Sequence, residues 1–186
     1  MVKRNSRYKD HPYLQFVIKF VVDAIIVVCL AMTLINNVFS RATVSGNSMN
    51  QVLLNDDSVF INHYAYAFSS PKRYDVIAFQ LSGTNSEKVY FKRIIGLPGE
   101  KIQIIEGKVY INGKVLEDDI EGESIIFGGL ATNELTIGQD EYFVLGDNRN
   151  SSEDSRFANI GLVDSKKILG KPWLIYTPFS RFGFIG

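Results

Sequence analysis

The sequence predicts an all-β protein, a compact sheet or barrel-like domain behind one N-terminal apolar helix. Three observations carry that reading. From residue 58 onward the chain falls into short β-rich runs bounded by Gly, Pro, Asn or Asp. No stretch beyond residue 40 sustains a helical period, and the one long apolar segment lies near the N-terminus. A length of 186 residues is one domain's worth, enough for a real core.

Taken in order, residues 1–19 form a basic tail with Lys3, Arg4, Arg7, Lys9 and Lys19, in which Pro12 is expected to break any continuous helix. Residues 20–39 are the expected membrane span. About 20 apolar residues cross a bilayer core, and Phe20 to Phe39 supplies them if Asp23 sits near the headgroups. The five bases ahead of the span put the N-terminus in the cytoplasm and residues 40–186 outside. A cleaved secretory signal is the alternative, with small residues at Ser40-Arg41-Ala42, but the apolar run exceeds the roughly 7–15 residues of such signals. A retained anchor is therefore preferred.

The strand-like runs are Val59–Asn62, Asp75–Phe79, Val89–Phe91, Lys101–Ile104, Tyr142–Leu145 and Trp173–Tyr176. Val109 to Leu116 reads as a hairpin, because Asn112-Gly113 readily takes the positive φ angles of a two-residue turn. Residues 117–134, acidic and glycine-containing, read as a solvated surface insertion between strands.

The formal charge is zero, which argues against nucleic acid as a partner. That balance hides an asymmetry. Five of the 20 basic and two of the 20 acidic residues precede residue 40, which leaves 15 and 18 beyond it, a net of −3. The single cysteine, Cys29, lies in the apolar segment, so no intramolecular disulfide forms and the core alone must hold the domain.

Three stretches carry chemistry. The first is the polar turn Val44 to Leu53, where Ser48 is the candidate nucleophile. A serine hydroxyl needs a base within hydrogen-bond reach. Histidine offers two, His11 ahead of the apolar segment and His63 in an aromatic run with Tyr64, Tyr66 and Phe68 that reads as ordinary strand surface. Lys92 is the stronger candidate, because Tyr90, Phe91, Ile94 and Ile95 around it ought to be buried and burial disfavours an ammonium. Bringing a lysine from about 10.4 to roughly 7–8 takes on the order of 4 kcal/mol of desolvation. The third stretch, Gly146 to Arg156, holds almost no apolar side chain yet follows a strand, and so polar a loop needs a role.

In this order, behind an N-terminal apolar segment, these stretches resemble the type I signal peptidases of bacteria in their short Gram-positive form. The resemblance covers nearly the whole chain. It implies a membrane-bound serine endopeptidase that removes signal peptides from exported proteins without metal or cofactor, using Ser48 as nucleophile and Lys92 as base. It implies that Ser152 orients the lysine amine, that Asp154 and Arg156 buttress the loop, and that Asp147 and Arg93 form an ion pair which Arg149 joins. The Ser48 backbone N–H would be one oxyanion donor, with Gly46 at the position where some members add a serine hydroxyl, and Gly46 and Met49 would line the substrate groove. Where the family has Pro-Thr after Ser-Met-x, this chain has Gln51-Val52. Proline would stiffen the turn behind the nucleophile and Gln51 does not. A second function stays open, a peptidase-like assembly factor that binds pilus subunits with little or no cleavage. A third is an exported β-domain whose apolar segment is removed.

Overall fold

The computed structural model describes residues 12–81, 88–117 and 124–185. The expected tail up to residue 11, with His11, and residues 118–123 of the expected insertion lie outside them.

Helix α1 spans Pro12–Val38, an apolar helix of 27 residues. Its rise of about 1.5 Å per residue gives about 40 Å, enough to cross a bilayer core with some tilt. Pro12 opens the helix instead of breaking it, because a first-turn residue has no intrahelical partner for the N–H that proline lacks. The helix stops one residue earlier than expected, and Phe39 begins a strand.

The remaining chain, from Phe39, is a separate unit built of strands and of 3₁₀ turns no longer than four residues among the described residues. One sheet contains β1 (Phe39–Thr43), β2 (Ser58–Asn62), β3 (Val76–Phe79), β4 (Tyr90–Gly96), β9 (Glu141–Leu145), β10 (Val163–Asp164), β11 (Ile168–Thr177) and β12 (Gly183–Phe184). Its order is β1-β2-β11-β3-β4-β9-β10, with β12 paired to β11. A second sheet contains β5 (Lys101–Ile105), β6 (Lys108–Ile111), β7 (Lys114–Val115) and β8 (Leu135–Thr136) in the order β7-β6-β5-β8. All pairings are antiparallel. The fold is all-β, as the sequence predicts, and the β6–β7 hairpin turns at Asn112 (φ 52°) and Gly113 (φ 76°).

Two strands run further than their β-rich runs suggest. β4 continues through Lys92-Arg93 to Gly96, and β11 starts at Ile168 and passes through Pro172. Pro172 is tolerated because the β2–β11 register shifts between it and Leu174, where the ladder is already interrupted. β4 is also the strand about which the core divides. Phe91 joins a cluster with Met49, Leu53, Val59 and Ile175; Ile94 joins Ile77, Phe79 and Val144; Ile95 joins Phe143 and, from the smaller sheet, Ile102 and Val109. Lys92 thus lies on a strand that packs against all three parts of the core.

Candidate active site

Ser48 sits in the turn that follows β1. The turn closes through Asn50 N–H to the Asn47 carbonyl, and through Val52 and Leu53 N–H to the Met49 carbonyl. Its base is fixed by Asp57, 1 % exposed, which accepts from the Leu54 N–H and from the guanidinium of Arg181 at 2.9 and 3.1 Å. Arg181 also donates to the Val52 carbonyl. Met49 and Leu53 plug the turn into the core, at 1 % and 0 % exposure.

Lys92 is 4 % exposed, and its Nζ lies 2.7 Å from Ser48 Oγ and 3.2 Å from the Phe91 carbonyl oxygen. Burial pushes the Lys92 pKa down to about 8. Asp154, Glu153 and Asp147 oppose that fall and Lys88 adds to it, but desolvation is the largest cause. A neutral amine in this position can accept the proton of a hydroxyl, so the contact has the geometry of a nucleophile beside its base.

The polar loop after β9 is held by its own charges. Asp147 takes Arg93 of β4 in a two-point bond, Nε to Oδ1 and a terminal nitrogen to Oδ2, each 2.7 Å. Asp154, fully buried, binds Arg156 in the same manner at 2.7 and 2.9 Å and accepts the Gly146 N–H at 3.1 Å. Arg149 Nε donates to the Gly146 carbonyl. The loop then reaches the nucleophile turn. Asn148 N–H donates to the Ser48 carbonyl at 3.0 Å, and Asn148 Nδ2 to the Asn47 carbonyl at 3.2 Å. Gly146 is required at this crossing, since a Cβ there would stand 2.2 Å from Ser152 Oγ and 2.5 Å from the Ser48 carbonyl oxygen.

Ser152 is buried beside this crossing, but its hydroxyl is without a hydrogen-bond partner. The bond to the Lys92 amine expected from the sequence is not formed here, and the Phe91 carbonyl orients the amine instead. Arg93 is paired with Asp147, and Asp154 with Arg156 inside the loop that the two were expected to buttress. Asn148 and the Asp57–Arg181 pair went unnoticed in the sequence. For Asn148 the signal was its place in the polar loop, whereas Asp57 and Arg181 are 124 residues apart and left none.

Ser48 and Lys92 open into a cleft of about 150 Å³ lined by Val44 to Met49, Lys88 to Lys92, Ser151 and Glu153, so that Gly46 and Met49 both face it. A larger cleft of about 960 Å³ is lined by His63, Tyr66, Phe68, Pro98 and Asp140, and contains neither Ser48 nor Lys92. His63 belongs to that second cleft, with Nδ1 2.7 Å from the Leu169 carbonyl oxygen, and is not brought to the serine.

Residues 17–177 match the family model described as signal peptidase, peptidase S26. The chain belongs to the signal peptidase family. Among its relatives, the signal peptidase I of Bacillus caldolyticus is 34% identical over 170 residues, 86% of this chain and 91% of that one. The probable signal peptidase I-2 of a Synechocystis strain is 29% identical over 189 residues, 100% of this chain and 84% of the relative. A crystal structure of a signal peptidase I from Enterococcus faecalis aligns with a TM-score of 0.44 and 34% identity, covering 55% of this chain and 97% of that one. Membership makes this chain a type I signal peptidase-like serine endopeptidase.

At Gln51-Val52, where the resemblance implies Pro-Thr, the backbone is unusual. Gln51 has φ 130°, in the region that favours glycine and that proline, held near −65°, does not reach. A proline at position 51 would not hold this backbone.

Proposed function

We propose that this chain removes signal peptides from exported proteins at the outer face of the cytoplasmic membrane, with Ser48 as nucleophile and Lys92 as general base. The observation that carries this is the 2.7 Å contact between the serine hydroxyl and an amine only 4 % exposed. Neutral Lys92 takes the Ser48 proton as Oγ attacks the scissile carbonyl, and the resulting ammonium gives that proton to the leaving amine. The acyl-enzyme is then hydrolysed by water activated by the same amine. The Ser48 N–H faces the oxyanion as one donor. Ser152 and the Arg93–Asp147 and Asp154–Arg156 pairs are positioning residues that hold the loop on the lysine strand.

A cleft of about 150 Å³ is well below the roughly 300–1,000 Å³ of drug-sized ligand pockets, and suits the small side chains at a signal-peptide cleavage site. The membrane setting rests on α1 and, in the β-domain, on a group of exposed aromatic side chains. Phe39, the residue after α1, stacks on Trp173 at 5.1 Å, and Trp173 packs on Phe184 at 5.2 Å. Trp173 and Phe184 are 42 % and 73 % exposed, as aromatic groups seated among lipid headgroups would be. In this reading the span is single, with the N-terminus in the cytoplasm.

The test is cleavage of an Ala-x-Ala signal-peptide substrate by the purified full chain in detergent. Ser48→Ala and Lys92→Arg should each abolish it, the second because a guanidinium stays protonated. In cells both variants should lose the biological role. A Ser48→Ala chain that still performs that role would overturn the peptidase reading and leave a client-binding assembly factor.

A further inference from the structure

Asn148 holds both peptide units that flank the Ser48 Cα. Its N–H donates to the Ser48 carbonyl at 3.0 Å, and its Nδ2 donates to the Asn47 carbonyl at 3.2 Å. The Asn47 carbonyl takes a second hydrogen bond from the Asn50 N–H at 3.1 Å, which engages both of its lone pairs. The peptide between Asn47 and Ser48 is trans, and in a trans peptide the C=O and the N–H point in opposite directions. Whatever fixes the Asn47 carbonyl therefore fixes the direction of the Ser48 N–H. That N–H makes no hydrogen bond among the described residues, and Ser48 lines the same cleft as Lys92.

Asn148 is itself set by the strand that carries the base. Its neighbour Asp147 is bound at two points, each 2.7 Å, to Arg93, the residue next to Lys92 on β4. One frame thus locates both the base and the loop that grips the nucleophile turn. We propose that Asn148 is the positioning residue of the oxyanion site: its side-chain amide, by holding the Asn47 carbonyl, aims the Ser48 N–H into the cleft and strengthens it as a donor. The strengthening follows because a carbonyl that accepts hydrogen bonds polarises its own peptide, and the N–H across that peptide donates better. The proposal rests on Ser48 being the nucleophile. As Ser48 Oγ bonds to the scissile carbon and its proton passes to Lys92, the carbonyl π pair moves onto oxygen, and an N–H aimed at that oxygen stabilises the charge. Asn148 is not among the residues that line the cleft, so it acts through the Asn47–Ser48 peptide.

Paired substrates test this: an Ala-x-Ala peptide ester, and the thionoester in which sulfur replaces the scissile carbonyl oxygen, each cleaved by the purified full chain in detergent. Sulfur accepts hydrogen bonds weakly, so the ester depends on the oxyanion donor far more than the thionoester does. Removing such a donor outright lowers kcat by on the order of 10²–10³. Asn148→Ala leaves the donor present but unaimed, and should lower kcat on the ester by about 10- to 100-fold with KM within about twofold, while slowing the thionoester less than about threefold. Asn148→Leu, which keeps the bulk and the neutral charge without the donor, should do the same. The ratio of the two rates does not depend on how much of a variant folds. The midpoint of the pH–rate curve should stay at the wild-type value in Asn148→Ala, since Lys92 and its surroundings are unchanged. Equal slowing of the two substrates, a kcat on the ester within about twofold of wild type, or a shifted midpoint would overturn this proposal alone. A chain in which Ser48→Ala leaves ester cleavage unchanged would overturn the Ser48 reading and this proposal with it.

Discussion

Replacing Lys92 by methionine should remove activity and make the domain more stable. The amine is 4 % exposed and burial lowers its pKa from 10.5 to about 8, which at about 1.4 kcal/mol per pH unit is about 3 kcal/mol of destabilisation in neutral solution. Methionine fills a similar volume without the charge but gives up the contact with Ser48 Oγ, worth about 1 kcal/mol. A net gain of about 2 kcal/mol at pH 7 follows. The pH dependence has a definite sign. Below pH 8 both folded and unfolded chains carry the proton, and the full cost stands. Between 8 and 10.5 the unfolded chain binds more proton than the folded one, so wild-type stability rises with pH relative to Lys92→Met. Above 10.5 both are neutral and the cost is gone. Urea unfolding of the detergent-solubilised chain at pH 7 and pH 10, followed by the fluorescence of its only tryptophan, Trp173, measures the difference. A Lys92→Met chain less stable than wild type at pH 7, or a stability gap that does not narrow at pH 10, would refute the claim that desolvation lowers the pKa of the base.

Ser152→Ala removes a buried hydroxyl without a partner and should raise stability by about 1 kcal/mol, while slowing cleavage much less than Lys92→Arg, since Phe91 still holds the amine; unfolding midpoints and turnover rates check both. Gln51→Pro should lower stability by at least about 1–3 kcal/mol and depress cleavage, because φ 130° excludes proline, whereas Gln51→Gly should gain up to about 1 kcal/mol. A proline variant with wild-type stability and rate would contradict the φ of 130° at Gln51. Arg181→Ala leaves the Asp57 carboxylate buried and unpaired beneath the nucleophile turn, and should cost about 3–5 kcal/mol in urea unfolding.

Much of this architecture was legible because local chemistry and tertiary role agreed. Asn112-Gly113 demanded a hairpin turn, the runs around Val76 and Phe143 were apolar enough to be buried strands, and Lys92 stood among side chains that had to be inside. Where the two disagreed, the reading stopped short. The β-rich run Val89–Phe91 stops short of β4, which continues through Lys92-Arg93, one cation buried against Ser48 and the other neutralised by Asp147. β1 was missed because Ser40-Arg41-Ala42 has no β pattern of its own and is held by register against Phe60 and Ile61. The Asp57–Arg181 pair and the φ of Gln51 belong to the same class: each is fixed by partners distant in the chain or by the path of the turn. The Arg93–Asp147 pair was readable only because the family resemblance supplied a partner that spacing alone does not.

The most direct test of the dyad is the pH dependence of cleavage by the purified wild-type chain. With a base of pKa about 8, the neutral fraction of Lys92 rises about tenfold between pH 7 and pH 9 and then levels off. The rate of signal-peptide cleavage under kcat/KM conditions should follow that curve, with Ser48→Ala and Lys92→Arg flat at background. A rate that is unchanged over this range, or that Lys92→Arg retains, would contradict Lys92 as the base.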